Sequence, residues 1–227
     1  MGSLNKFCQL QTPWDLWCLA NQIASSMSDE DLLSRGKDFA QKLQEALVAS
    51  TFALVFQEHI SPVQIRMAKV HEKLLDFELI SQENSAFQFE LTTAYPPDYK
   101  IREQYKNGRR PSFPMQTLSG TPMNPEWIAP VICKKTEKAR RIDGFNGHLL
   151  VYVNIHGGGP VGRGLEELMD LISDSETIWQ SIWLIRGIPD LVSTGTVLLC
   201  NSSGLDCEER EWLHIKDNNG LKRLVDE

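Results

Sequence analysis

The chain has 227 residues, enough for one substantial core or one domain with elaborations. Hydrophobic residues make up 41% and charged residues 23%, ordinary globular usage that excludes disorder as the default for the whole chain. A net charge of −7 argues against a protein that coats nucleic acid without specificity, and no apolar run approaches the ~20 residues of a membrane-spanning helix.

Met1 to Gln11 carries no apolar region of the kind a signal peptide needs, and Lys6 stands where a myristoylation signal requires Ser or Thr. Cys8, Cys18, Cys133, Cys200 and Cys207 are odd in number and scattered, as free thiols in a reducing compartment are. A cytoplasmic protein with no membrane partner is therefore expected. Cys200, Cys207 and His214 are too widely spaced for a typical zinc site, and the glycosylation acceptor Asn201-Ser202-Ser203 matters only after secretion.

Residues 1–28 read as an N-terminal extension, irregular to weakly helical, with Trp14, Leu16 and Trp17 packing on the body. Ser28 with Asp31 three residues on is a capping box with Asp in place of Glu. Leu32, Leu33, Phe39, Leu43, Ala46 and Leu47 then recur at helical spacing, predicting one helix over about 29–49. Three strands are predicted next. Thr51 to Glu58 is rich in β-branched and aromatic residues, Leu74 to Ile80 alternates, and Ala86 to Thr93 alternates more clearly. The polar SQENS stretch between the last two suits a hairpin turn.

Residues 94–125 hold six prolines and predict a long loop, of the kind that is usually functional or mobile. From Tyr99 to Arg141 ten Lys or Arg stand against three Glu, a basic stretch that allows a localised polyanion site in an acidic chain. A helix is predicted over Glu126–Arg141, its basic end complementing the helix dipole. His148 to Ile155 is a buried strand, a Gly-rich turn spans 157–164, and Leu165 to Ile172 is a helix. Ile178 to Ile185 and Val197 to Cys200 are further strands. Residues 204–227 form an acidic tail, read as a surface helix and a frayed end. The domain proper is 29–203, a mixed α/β sheet between helices.

The strongest candidate site is Asp76 on one strand with Glu90 and Thr92 on the next. Residues two apart in a strand share a face, so Thr92 lies beside Glu90. Two carboxylates converging from adjacent strands make an oxygen-rich site for Mg²⁺ or Mn²⁺, and Glu45 on the preceding helix adds a third. Spacing alone is more often the mark of an ordinary wet sheet face.

These residues and their order resemble the PD-(D/E)xK, or restriction-endonuclease-like, nuclease superfamily. Its αβββαβ core carries an Asp on the second strand and a (D/E)-x-Lys pair on the third. The match runs through Glu45, Asp76 and Glu90-Leu91-Thr92 into the basic helix Ile132 to Lys138 and the strand Leu149 to Val153, over about residues 29–156. Thr92 stands where that family usually has Lys. The resemblance implies a restriction-endonuclease-like α/β fold and a metal-dependent nuclease, or an inactive descendant that binds or interacts. Glu45, Asp76 and Glu90 would hold the metal, and Thr92 or a recruited Lys100 or Lys106 would orient water. Arg102, Lys106, Arg109, Arg110, Lys134 and Lys138 would contact phosphates. The partner is nucleic acid, DNA before RNA, and a homodimer is allowed.

Two other motifs compete. VYVNIHGGGP, residues 151–160, looks like the oxyanion turn of lipase-type hydrolases, but no Gly-x-Ser-x-Gly elbow follows it. Gly157, Gly159 and Gly162 fit a dinucleotide turn and give a third reading, a nucleotide-cofactor protein. Against that reading, Pro160 removes an amide donor and no acidic residue closes the next strand.

Overall fold

The computed structural model describes residues 4–60, 62–69, 75–95, 125–153, 163–186, 195–201 and 212–213. Helices α1 (Leu4–Phe7), α2 (Pro13–Ser26), α3 (Asp29–Ser34) and α4 (Lys37–Ile60) come first. Strands β1 (Pro62–Met67), β2 (Phe77–Ser81) and β3 (Ala86–Ala94) follow. The remaining order is α5 (Pro125–Ala139), β4 (His148–Val153), α6 (Arg163–Ile172), β5 (Ser181–Arg186), β6 (Gly195–Asn201) and the two-residue β7 (Trp212–Leu213).

The seven strands lie in one sheet in chain order, β1 to β7. The β1–β2 and β2–β3 pairs are antiparallel, β3–β4 and β4–β5 are parallel, and β5–β6 and β6–β7 are antiparallel. Parallel neighbours need crossovers, and α5 and α6 supply them. The mixed α/β expectation is thus met, and no described helix is long and apolar enough to cross a membrane.

Buried side chains fall into two clusters, one on each face of the sheet. One gathers Leu16 of α2, Phe39, Phe52 and Phe56 of α4, Phe77 and Leu79 of β2, Phe89 and Leu91 of β3, and Trp183 of β5. The other gathers Ile128 and Ile132 of α5, Leu168 and Ile172 of α6, and Leu149, Val151, Ile182 and Leu184 from the strands between. β4 is buried over its whole length, alternating between the clusters, as a strand covered on both faces must be. The result is a three-layer α/β/α arrangement.

The SQENS hairpin forms as expected. Phe77 pairs with Phe89 and Ile80 with Ala86, and Asn84 takes the left-handed φ of 61° that closes the turn. The Ser81 hydroxyl accepts from the amides of Glu83 and Ser85 at 3.3 and 3.2 Å, tying the turn to its own entry strand. The predicted helices of residues 126–141 and 165–172 and the strands of 148–155, 178–185 and 197–200 also form, with shifted ends.

Four expectations need correction. Thr51 to Glu58 is helix, the second half of α4, and not a strand. Its apolar residues serve a helix buried on several sides: Phe52, Ala53, Val55 and Phe56 are all fully buried, and Phe52 and Phe56, four apart, meet Phe89 and Trp183 of the sheet edge-on. The third antiparallel strand is instead Pro62–Met67. The predicted helix of 29–49 is two helices, because Gly36 takes φ +90° between α3 and α4. The capping box is real, with Asp31 N–H to Ser28 Oγ at 3.1 Å and Ser28 N–H to Asp31 Oδ2 at 3.4 Å. Residues 13–26 form a regular helix capped by Thr12, whose hydroxyl accepts from Asp15 N–H at 3.0 Å. Trp212–Leu213, in the tail read as a surface helix, pairs as a strand with β6, and the other residues of that tail lie outside the described residues.

Candidate functional site

β2 and β3 pair only as far as Phe77 and Phe89. Beyond them β3 continues through Leu91, Thr92, Thr93 and Ala94, paired on its other side with β4. Asp76 stands at the parting. Its N–H donates to Phe89 O at 2.9 Å, and its carboxylate Oδ2 accepts the N–H of Leu91 at 2.8 Å. A side-chain oxygen thus takes the place of the next backbone carbonyl in the ladder. Glu90 lies between those two anchor points and presses on Asp76 electrostatically.

Cations reach this point from both layers. Lys42 comes from α4, with Nζ 2.9 Å from Glu45 Oε2 and 4.0 Å from Asp76 Oδ1. Lys135 comes from α5 on the opposite face and forms an ion pair with Glu90 Oε1. The Glu90 side chain is only 7% exposed, so Lys135 is the partner that makes its burial tolerable. Glu45 is engaged at both oxygens, by Lys42 and by the Gln41 amide at 2.8 Å.

The electrostatics are those of a strained carboxylate cluster. Burial, and then the Glu90 charge, push the Asp76 carboxyl up to about 6, against the opposing pull of the Leu91 N–H, Lys42 and Lys135. Burial alone would lower the Lys42 ammonium, but Glu45 and Asp76 outweigh it and the net shift is upward.

The residues singled out from sequence fare differently. Asp76 and Glu90 come together, and Glu45 joins them through Lys42. Thr92 is half-buried and shares the Glu90 face by strand alternation. Lys134 and Lys138 are exposed on α5, on the side turned away from the sheet. Lys100, Arg102, Lys106, Arg109 and Arg110 lie outside the described residues, as do Gly157, Gly159, Gly162, Cys207 and His214. Among the described residues no group of three or more His, Cys, Asp or Glu side chains is gathered as a metal-ligand set.

Lys42 and Lys135 were missed in the sequence, although a signal was present. Lys135 falls on the stripe of Ile128, Ile132 and Ala139, all buried, and Lys42 falls on that of Phe39, Leu43 and Ala46. A lysine inside an apolar stripe must find an anion within the fold.

His148, at the start of β4, is a core residue. Its Nδ1 is 2.7 Å from Ser181 Oγ, which also accepts from Trp183 Nε1 at 2.8 Å, and its ring stacks on Phe89. The Trp183 donation leaves the serine proton for Nδ1, and burial pushes the imidazole down to about 4. No protein-family model, curated protein or solved structure matches the chain.

Proposed function

We propose that this protein is a Mg²⁺- or Mn²⁺-dependent nuclease that cleaves phosphodiesters in nucleic acid, DNA before RNA, or a descendant of one, built on a restriction-endonuclease-like fold. The observation that carries this reading is the meeting of two carboxylates, Asp76 and Glu90, where β2 and β3 part, with Lys135 reaching Glu90 from α5. The order of one long helix, three antiparallel strands, a crossover helix and a parallel strand supports it.

The donor set suits a hard divalent ion. Asp76 and Glu90 are neighbouring carboxylates whose mutual repulsion raises the Asp76 carboxyl, a repulsion that such an ion relieves. Bound there, Mg²⁺ or Mn²⁺ supplies an acidified water and offsets charge developing on the phosphodiester. Asp76 and Glu90 would hold it, with Glu45 in reserve behind Lys42. Lys135 is the cation on the Glu90 face that Thr92 cannot supply, and it takes the role that the sequence left to Lys100 or Lys106. Thr92 would orient water, and the exposed Lys134 and Lys138 would meet phosphates.

The test is cleavage of supercoiled plasmid and of single-stranded RNA with each metal. Cleavage is expected, abolished by chelation, by Asp76→Asn and by Glu90→Gln. Absence of cutting by the chain and by Thr92→Lys, together with absence of divalent-ion binding in calorimetry, would overturn it. One observation favours a second reading, a non-enzymatic interaction protein on the same fold: both carboxylates already have lysine partners. That reading is the one left standing by the negative outcome.

A further inference from the structure

Lys42 occupies a particular position. Its ammonium lies between two carboxylates that come from different elements, Glu45 on its own helix and Asp76 at the mouth of β2. The three side chains are largely shielded, with 21% exposure for Lys42, 13% for Glu45 and 21% for Asp76. A pair three residues apart on an exposed helix is worth only tenths of a kcal/mol and holds no fixed geometry. Here the pair is enclosed.

We infer that Lys42 is a resident counter-cation that competes with the divalent ion for Asp76 and Glu45. This inference rests on the metal reading given above. The ammonium satisfies the carboxylates in the metal-free protein and holds Glu45 at the edge of the site. A divalent ion at Asp76 and Glu90 meets the Lys42 charge at close range. Binding then requires Lys42 to swing away, which frees Glu45 to complete the ligand set. Lys42 therefore weakens ion binding, whereas Lys135, on the other face, neutralises Glu90 without standing between two carboxylates.

Calorimetric titration with MnCl₂ of the full chain and of Lys42→Met, Lys42→Gln and Asp76→Asn tests this. Both Lys42 variants should bind Mn²⁺ roughly tenfold more tightly than the unaltered chain, the scale of removing one like charge from a half-buried site. Asp76→Asn should bind none. Equal or weaker binding by the Lys42 variants, with binding still lost in Asp76→Asn, overturns the inference and leaves the metal site standing. Absence of binding by every form overturns both. A measurement on the unaltered chain guards against misfolded variants. Acylation of Lys42, followed by peptide mass spectrometry, should rise severalfold on saturation with Mg²⁺, while the exposed Lys134 and Lys138 stay constant. Unchanged Lys42 acylation at saturating Mg²⁺ also overturns it.

Discussion

Lys135 and Glu90 meet from different layers, a helix residue paired with a strand residue 45 positions earlier in the chain. No second cation is placed on that face of β3 among the described contacts of Glu90, whose side chain is nearly enclosed. Removing Lys135 therefore leaves an uncompensated buried charge.

Lys135→Met is expected to lower cleavage at least ~100-fold, the scale of losing one positioned electrostatic group, and to cost ~3 kcal/mol of stability. Thr92→Ala should cost far less of each. The double variant Thr92→Lys with Lys135→Met should recover part of both losses, because position 92 shares the Glu90 face. Plasmid nicking and urea denaturation measure the two quantities. No recovery in the double variant would show that the cation must approach from α5.

Asp76→Asn should stabilise the metal-free protein at pH 7. The Asp76 carboxyl is raised in the fold from 3.8 to about 6. The folded state therefore binds more protons than the unfolded state across that window. The stability gained is full below pH 3.8 and is lost as pH rises through about 6. At pH 7 the ionised carboxylate costs roughly 1–3 kcal/mol, and an amide removes that cost while its oxygen still accepts the Leu91 N–H. Denaturation at pH 7 reads the gain, and an unchanged or lower midpoint would refute it.

His148 acts in the opposite sense. Its imidazole falls in the fold from 6.5 to about 4, so the unfolded state binds the extra proton. Stability is full above pH 6.5 and declines as pH falls through about 4, by up to ~3 kcal/mol. The two windows overlap, so the unaltered chain should show a shallow pH dependence between 4 and 6. Asp76→Asn should expose a steep acid loss, and His148→Gln should expose a gain on acidification. Urea midpoints at pH 4.5, 5.5 and 7 distinguish the slopes.

Phe52→Ala should cost ~3–5 kcal/mol. The ring is fully buried and meets Phe56, Phe77, Phe89 and Trp183 at centroid distances of 5.2 to 6.3 Å. It joins α4 to three strands of the sheet that carries the site. Loss of the thermal transition, or a midpoint lowered by many degrees, is the expected readout, and a change below ~1 kcal/mol would contradict this packing.

The hairpin was legible because two local signals agreed, the alternation of 86–93 and the polar SQENS turn. Thr51 to Glu58 misled because β-branched and aromatic residues are equally at home in a helix buried on several sides. Composition cannot separate the two, and the continuous run from Lys37 was the better guide. The nearness of Asp76 and Glu90 was readable because strand pairing brings them to one end of the hairpin, whereas Glu45, on α4, meets Asp76 only through Lys42. Lys42 and Lys135 were not picked out, because solvation of a lysine depends on contacts across the fold. Their positions within apolar stripes were the only local trace.

Every strand of the sheet pairs with the strand just before it in the chain. Such a sheet grows in one direction: each strand leaving the ribosome finds its docking edge already made. The wait between pairings is set only by the connecting segment, a short turn for β2 and β3 and a helix-bearing crossover for β4 and β5. No early strand must hold an open flank for a distant partner, so an unfinished chain carries a single growing edge. The carboxylate cluster belongs to the first half of that growth, and its last member to be synthesised is Lys135 on α5. Glu90 therefore lacks its lysine partner until α5 is made and docks.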